Sequence, residues 1–200
     1  VDESTIESQS IGSTISNEMR SNAVKALIVA CIFMLFYIWF RFKDIRFAGS
    51  AIIALVHDVL VMLTGYALIR ISVGNTFIAC VLTIVGYSIN DTIVIFDRIR
   101  ENMQGMKKQT PETLAEVANR SLTQTLSRSL NTSITTIIMV LLLFILGVSS
   151  IREFALPLMI GLISGTYSSI FIAAALWYVM KLHLGKDKLL KPAVAKTKKK

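Results

Sequence analysis

A chain of 200 residues has room for one or two soluble domains, but 54% hydrophobic residues and a mean hydropathy of +0.62 are too apolar for a water-facing surface. The net charge of +8 would suit a nucleic-acid binder, yet its placement along the chain has a membrane explanation and nucleic acid is not expected as a partner. No phosphate loop, paired-cysteine metal site or nucleophile elbow points to a soluble enzyme.

Residues 1–22 are polar and read as the extracytoplasmic end of a truncated domain. The first residue is Val and no secretory signal pattern precedes the first apolar run, so a piece of a longer protein is expected. Five runs then reach the length that crosses about 30 Å of hydrocarbon: Ala23 to Phe40, Phe47 to Ile69, Thr76 to Phe96, Leu130 to Gly147 and Phe154 to Met180. The expected fold is therefore an all-α integral membrane protein with a transmembrane bundle over 23–180. Short links at Arg41 to Arg46 and at Arg70 to Asn75 make sequential helices antiparallel neighbours.

The exception is a long cytoplasmic connector, 98–129. In it Thr110, Pro111 and Glu112 read as N-cap, first helical residue and first-turn acid. Leu114, Ala118, Leu122 and Leu126 recur every fourth residue, the pattern of an amphipathic helix along the inner membrane interface that feeds into the fourth span. Residues 181–200 form a lysine-rich tail, expected to be disordered and attracted to anionic lipid.

If the first helix runs inward, seventeen of the 21 Lys and Arg residues lie on the cytoplasmic side, and only Arg20, Lys25, Arg70 and Arg152 lie outside. That asymmetry predicts an outside amino terminus and a cytoplasmic carboxyl terminus.

The residues that carry chemistry are the charges inside the spans. Asp58, preceded by His57, lies near the middle of the second span, and Asp91, preceded by Asn90, in the inner half of the third. An ionised acid at mid-bilayer costs about 2.5–3.5 kcal/mol on insertion scales, so it needs a partner or a task. Ala51, Ala54, Asp58 and Gly65 share a small-residue face of the second helix, and Thr83, Tyr87, Asn90 and Asp91 make a polar strip on the third. Gln124, Arg128, Asn131 and Thr135 form one polar stripe entering the fourth, expected to face the bundle interior or a wet cavity, with Arg128 as the partner of Asp91. Gly161, Gly165 and Ser168 on the fifth give a surface for close helix packing. Cys31 and Cys80 lie in apolar spans and read as small buried hydrophobes.

A proton is the natural ligand for such a site, with no other cofactor expected. Burial favours the neutral acid, a neighbouring guanidinium favours the ionised one, and a small rearrangement can switch between them. The proton pathway expected on this basis comprises Asp91, Arg128, Asp58, His57, Asn90, Gln124 and Asn131.

Three ordered segments, GYSINDTIVIFDRIREN (Gly86 to Asn102), NRSLTQTLSRSLNTSITT (Asn119 to Thr136) and IGLISGTYSSIFIA (Ile160 to Ala173), resemble the signature segments of the SecF family. SIGSTISNEMRSNAVKAL (Ser10 to Leu27) and ALVHDVL (Ala54 to Leu60) are similar to the same family. The resemblance implies the last five of six SecF helices, forming with SecD a twelve-helix bundle of the resistance-nodulation-division type attached to the SecYEG channel. It further implies use of the proton-motive force in late steps of export of polypeptides across the bacterial cytoplasmic membrane, with Asp91 and Arg128 in the proton pathway and no enzymatic activity. The family's first helix and extracytoplasmic domain have no counterpart here, and a separate SecF and a fused SecDF both fit.

Two other readings stay open on the residues alone. A half-transporter exporting lipid or drug would use the same proton chemistry, although the TLSR and GTYSS segments argue against it. An intramembrane aspartyl protease would need Asp58 and Asp91 close enough to share a proton.

Overall fold

The computed structural model describes residues 13–70, 75–104, 106 and 110–184. The expectations for residues 1–12 and for the basic tail beyond residue 184 lie outside this range. The described residues are helical with short connections and no strand: α1 (Ser13–Phe42), α2 (Ile45–Ile69), α3 (Asn75–Met103), α4 (Pro111–Leu146), α5 (Ser149–Tyr167), a π-helical turn (Ser168–Ala173) and α6 (Ala174–Leu184). Since α5, the π-helical turn and α6 run on without a break, five helices are long and apolar enough to cross a membrane, and the protein is multi-pass. Residues 13–22 form the first turns of α1, and Lys181 to Leu184 end α6.

Local chemistry explains where the helices stop. At the α1–α2 corner Lys43 turns left-handed at φ 54°, and the Asp44 side chain then accepts from the Arg46 amide to cap α2. Arg70, also left-handed at φ 59°, closes α2 by donating its amide to the Tyr66 carbonyl. Thr110 caps α4 in a reciprocal box with Thr113, and Pro111 stands in the first turn, where no amide partner is needed.

The later part of the connector, from Pro111 on, runs straight into the fourth spanning helix as one helix, α4, whose 36 residues at about 1.5 Å each span about 54 Å, more than the hydrocarbon thickness. Leu114 and Ala118 are buried, but Leu126 is exposed. A repeat of four drifts about 40° per step on a helix of 3.6 residues per turn, so the leucine line rotates out of contact within three steps.

Burial orders the bundle. About half of the apolar window is buried in α3 (50%) and in the α5–α6 rod (56%), against 6% in α1 and 17% in α4, so the first two are central and the others flank them. The helices meet through small residues, because lipid supplies no hydrophobic force between them and close contact must. Gly161 lies against Ile84, Gly165 against Ser88, and Gly65 against Ile160. At the end where α1 turns into α2, Phe47 stacks on Trp177 with centroids 5.2 Å apart and also meets Phe96 and Phe42, tying α1, α2, α3 and α6 together.

Candidate functional site

Two acids stand in the bundle, in opposite circumstances. Asp58 of α2 is fully buried and saturated with donors. Ser88 Oγ of α3 and Ser168 Oγ of the π-helical turn each donate to its Oδ2 at 2.7 Å. Ser164 Oγ of α5 donates to Oδ1 at 2.9 Å, and His57 Nδ1 lies 3.2 Å from the same oxygen. The π-helical turn lets adjacent residues both face inward: Ser169 Oγ donates to the Ser88 carbonyl at 3.1 Å and pairs with Thr92 Oγ1 at 2.9 Å. Ser88, Ser169 and Thr92 had no signal of their own in the sequence. The usable clue was that a buried acid on an apolar helix requires hydroxyl donors from its neighbours.

Asp91 of α3 is 4% exposed, yet its Oδ2 has no hydrogen-bond partner, and Ser129 Oγ of α4 is likewise buried without one. Ser129 and Arg128 are the α4 side chains whose polarity and charge bear on Asp91. Arg128 does not form the expected ion pair: it is exposed, and its guanidinium has no hydrogen bond or ion pair among the described residues.

Asp91 sits in a polar seam between the antiparallel helices α3 and α4. One turn toward the start of α3, Tyr87 Oη donates to Ser133 Oγ at 3.1 Å, and Ser133 pairs with Thr166 Oγ1 of α5 at 2.7 Å. Toward the other end, Arg98 Nε and Asn102 Nδ2 donate to Gln124 Oε1 at 2.7 and 2.9 Å, and Asn102 also reaches Ser121 Oγ at 2.8 Å. Arg98 and Asn102 thus belong to the site although the sequence did not single them out.

The α4 stripe lies on the outer side of this chain. Ser121, Thr125, Ser129 and Ser133 face inward, while Gln124, Arg128, Asn131 and Thr135 are exposed on this chain, as is Asn90 of α3. Small hydroxyls can be buried cheaply because they bond their own helix: Ser121 to the Val117 carbonyl, Thr125 to Ser121 and Ser133 to Ser129. Arg128 has no such internal solution and needs water or another chain, whereas Gln124 is met from α3 by Arg98 and Asn102. Gly161, Gly165 and Ser168 do lie at helix contacts, the last through its bond to Asp58. Asp58 and Asp91 do not hydrogen-bond each other, so this arrangement holds no carboxyl pair sharing a proton. No group of three or more metal-ligating side chains assembles among the described residues.

The family described as protein export membrane protein SecD/SecF, C-terminal, matches residues 1–183. A protein translocase subunit SecF from Alicyclobacillus acidocaldarius is 48% identical over 172 residues, covering 86% of this chain and 56% of that protein. A protein translocase subunit SecDF from Bacillus subtilis is 43% identical over 171 residues, covering 86% of this chain and 23% of that one. Among solved structures, the crystal structure of SecDF from Thermus thermophilus, a translocon-associated membrane protein, matches with a TM-score of 0.77 and 45% identity over 85% of this chain and 23% of that chain. The chain therefore spans about half the length of the SecF relatives and about a quarter of the SecDF ones.

Proposed function

This chain belongs to the SecD/SecF family of protein export membrane proteins, and on that premise we propose that it couples proton flow to late steps of polypeptide export across the cytoplasmic membrane. The single observation that carries the reading is Asp91: a carboxyl inside a membrane helix, 4% exposed, with Oδ2 buried outside any close hydrogen bond and the Ser129 hydroxyl of α4 as its nearest polar influence. A buried acid left without hydrogen bonds is costly in either charge state, which makes its occupancy by a proton, and its contacts, easy to change. Moving one charge through the membrane field yields about 2.3 kcal/mol per 100 mV. That is roughly a 50-fold bias between two conformations, enough for a modest switch.

The exposed polar row of Asn90, Gln124, Arg128 and Asn131 calls for cover, and the occupant proposed is the SecD half, completing a twelve-helix bundle of the resistance-nodulation-division type. Arg128 then approaches Asp91 when the two halves rearrange. SecYEG and the exported chain are the further partners, and anionic lipid the partner of the basic tail. The excess of Lys and Arg on one side supports a cytoplasmic carboxyl terminus.

The test is Asp91→Asn in the complete subunit. It should leave membrane insertion and partner association intact and abolish stimulation of export by the proton-motive force. Full proton-driven stimulation in that variant would remove Asp91 from the mechanism.

A further inference from the structure

We propose that Asp58 is a positioning residue: a serine-caged carboxylate that sets the rotation of α3 and so aims Asp91 at α4, without itself exchanging the transported proton. The inference rests on the proton reading of Asp91 and deepens it. Three observations carry it.

The first is the count of donors. Asp58 is fully buried, and three hydroxyls from α3, α5 and the π-helical turn converge on it, two of them on Oδ2. A proton added to Oδ2 would meet two hydroxyl hydrogens already pointing there, so at least one serine would have to turn away, Ser168 exchanging its 2.7 Å bond to Asp58 for the longer 3.2 Å contact with the Gly165 carbonyl. Nothing comparable surrounds Asp91, whose Oδ2 is empty of partners. The titratable groups near the cage are His57, half-exposed beside it on α2, and Asp91 itself, three residues along from Ser88.

The second is what the cage grips. Ser88 is held twice, by its hydroxyl on Asp58 and by its carbonyl accepting from Ser169, and Thr92 is held by Ser169 as well. On a helix of 3.6 residues per turn Asp91 lies about 60° round the axis from Ser88 and about 100° from Thr92. With Ser88 held by α2 and both Ser88 and Thr92 held by the π-helical turn, rolling α3 would break these bonds, and Asp91 is left on the side of α4.

The third is the π-helical turn. Its wider winding brings Ser168 to Asp58 while adjacent Ser169 reaches Ser88 and Thr92. A regular helix turns about 100° per residue and would not hold both contacts on a neighbouring helix pair so directly. The cage and the π-helical turn therefore maintain each other.

The experiment compares Asp58→Asn, Asp58→Ala and Asp91→Asn in the complete subunit with its partner, in membrane vesicles. An amide can accept from two hydroxyls and donate to a third, so Asp58→Asn should keep the cage and retain most proton-driven export. Asp58→Ala should lower it at least about tenfold, because a buried network loses its acceptor. Infrared titration of carboxyl groups supplies a readout that packing alone does not move: a protonating carboxyl band should persist in Asp58→Asn and vanish in Asp91→Asn. Loss of coupling in a correctly assembled Asp58→Asn variant, or loss of that band, overturns the proposal. Should Asp91→Asn leave export unchanged, the proton reading of Asp91 fails, and the cage stands or falls on melting temperature, kept by Asp58→Asn and lowered by Asp58→Ala.

Discussion

Gly161→Ala isolates the close contact on which the central helix pair depends. A Cβ built there would lie 2.0 Å from Cδ1 and 2.6 Å from Cγ1 of Ile84, where ordinary carbon contacts sit at about 3.5–4 Å. Ile84 is 1% exposed, so its side chain cannot swing aside into lipid. It must leave its rotamer, or α3 and α5 must part, at a cost of about 1–3 kcal/mol for overpacking. Replacing Gly by Ala inside a helix returns about 1 kcal/mol of propensity, leaving a net loss of about 0–2 kcal/mol. Gly86 on α3 is the control, since a Cβ there meets nothing within 4 Å, and Gly86→Ala should be neutral or stabilising by up to about 1 kcal/mol. Thermal unfolding of the detergent-solubilised protein measures the difference. Adding Ile84→Ala, which removes both of the nearest carbons, should recover much of the loss as a coupling of about 1 kcal/mol. Equal melting temperatures for Gly161→Ala and Gly86→Ala, or no recovery in the double variant, would show that the α3–α5 contact is looser than described.

Thr110→Ala removes the half of the cap in which Thr110 Oγ1 accepts from the Thr113 amide, leaving the backbone half to Thr113 Oγ1, and should cost about 1 kcal/mol, seen as faster amide exchange in the first turn of α4 with the membrane portion unchanged. Uniform protection in that turn would mean the cap is redundant. Trp177 is fully buried, stacked on Phe47, and its Nε1 has no acceptor. Trp177→Ala should therefore lower stability by about 3 kcal/mol through the cavity it leaves, while Trp177→Phe, which keeps a ring and discards the orphaned N–H, should cost no more than about 1 kcal/mol. Similar losses for both in a melting assay would count against the stack.

Much of the architecture could be read before any coordinates, because crossing a bilayer imposes a length and a polarity that one-dimensional patterns report directly. The five spans, the short link at Arg41 to Arg46, the cap at Thr110 and Pro111, and the intramembrane position of Asp58 and Asp91 follow from the order of residues alone. What a single sequence does not encode locally is which side of a helix meets which neighbour. Two polar stripes run along α4, and Ser121, Thr125, Ser129 and Ser133 turn inward, three of them (Ser121, Thr125 and Ser133) satisfied on carbonyls of their own helix, whereas the larger polar groups of Gln124, Arg128 and Asn131 are not and stay outside. The two acids looked alike in sequence, each a lone carboxyl in an apolar run. Only the packing of α3, α5 and the π-helical turn gives Asp58 three hydroxyl donors and leaves Asp91 with an empty oxygen, because hydrogen bonds between residues as distant in the chain as 58 and 168 exist only once the helices are assembled.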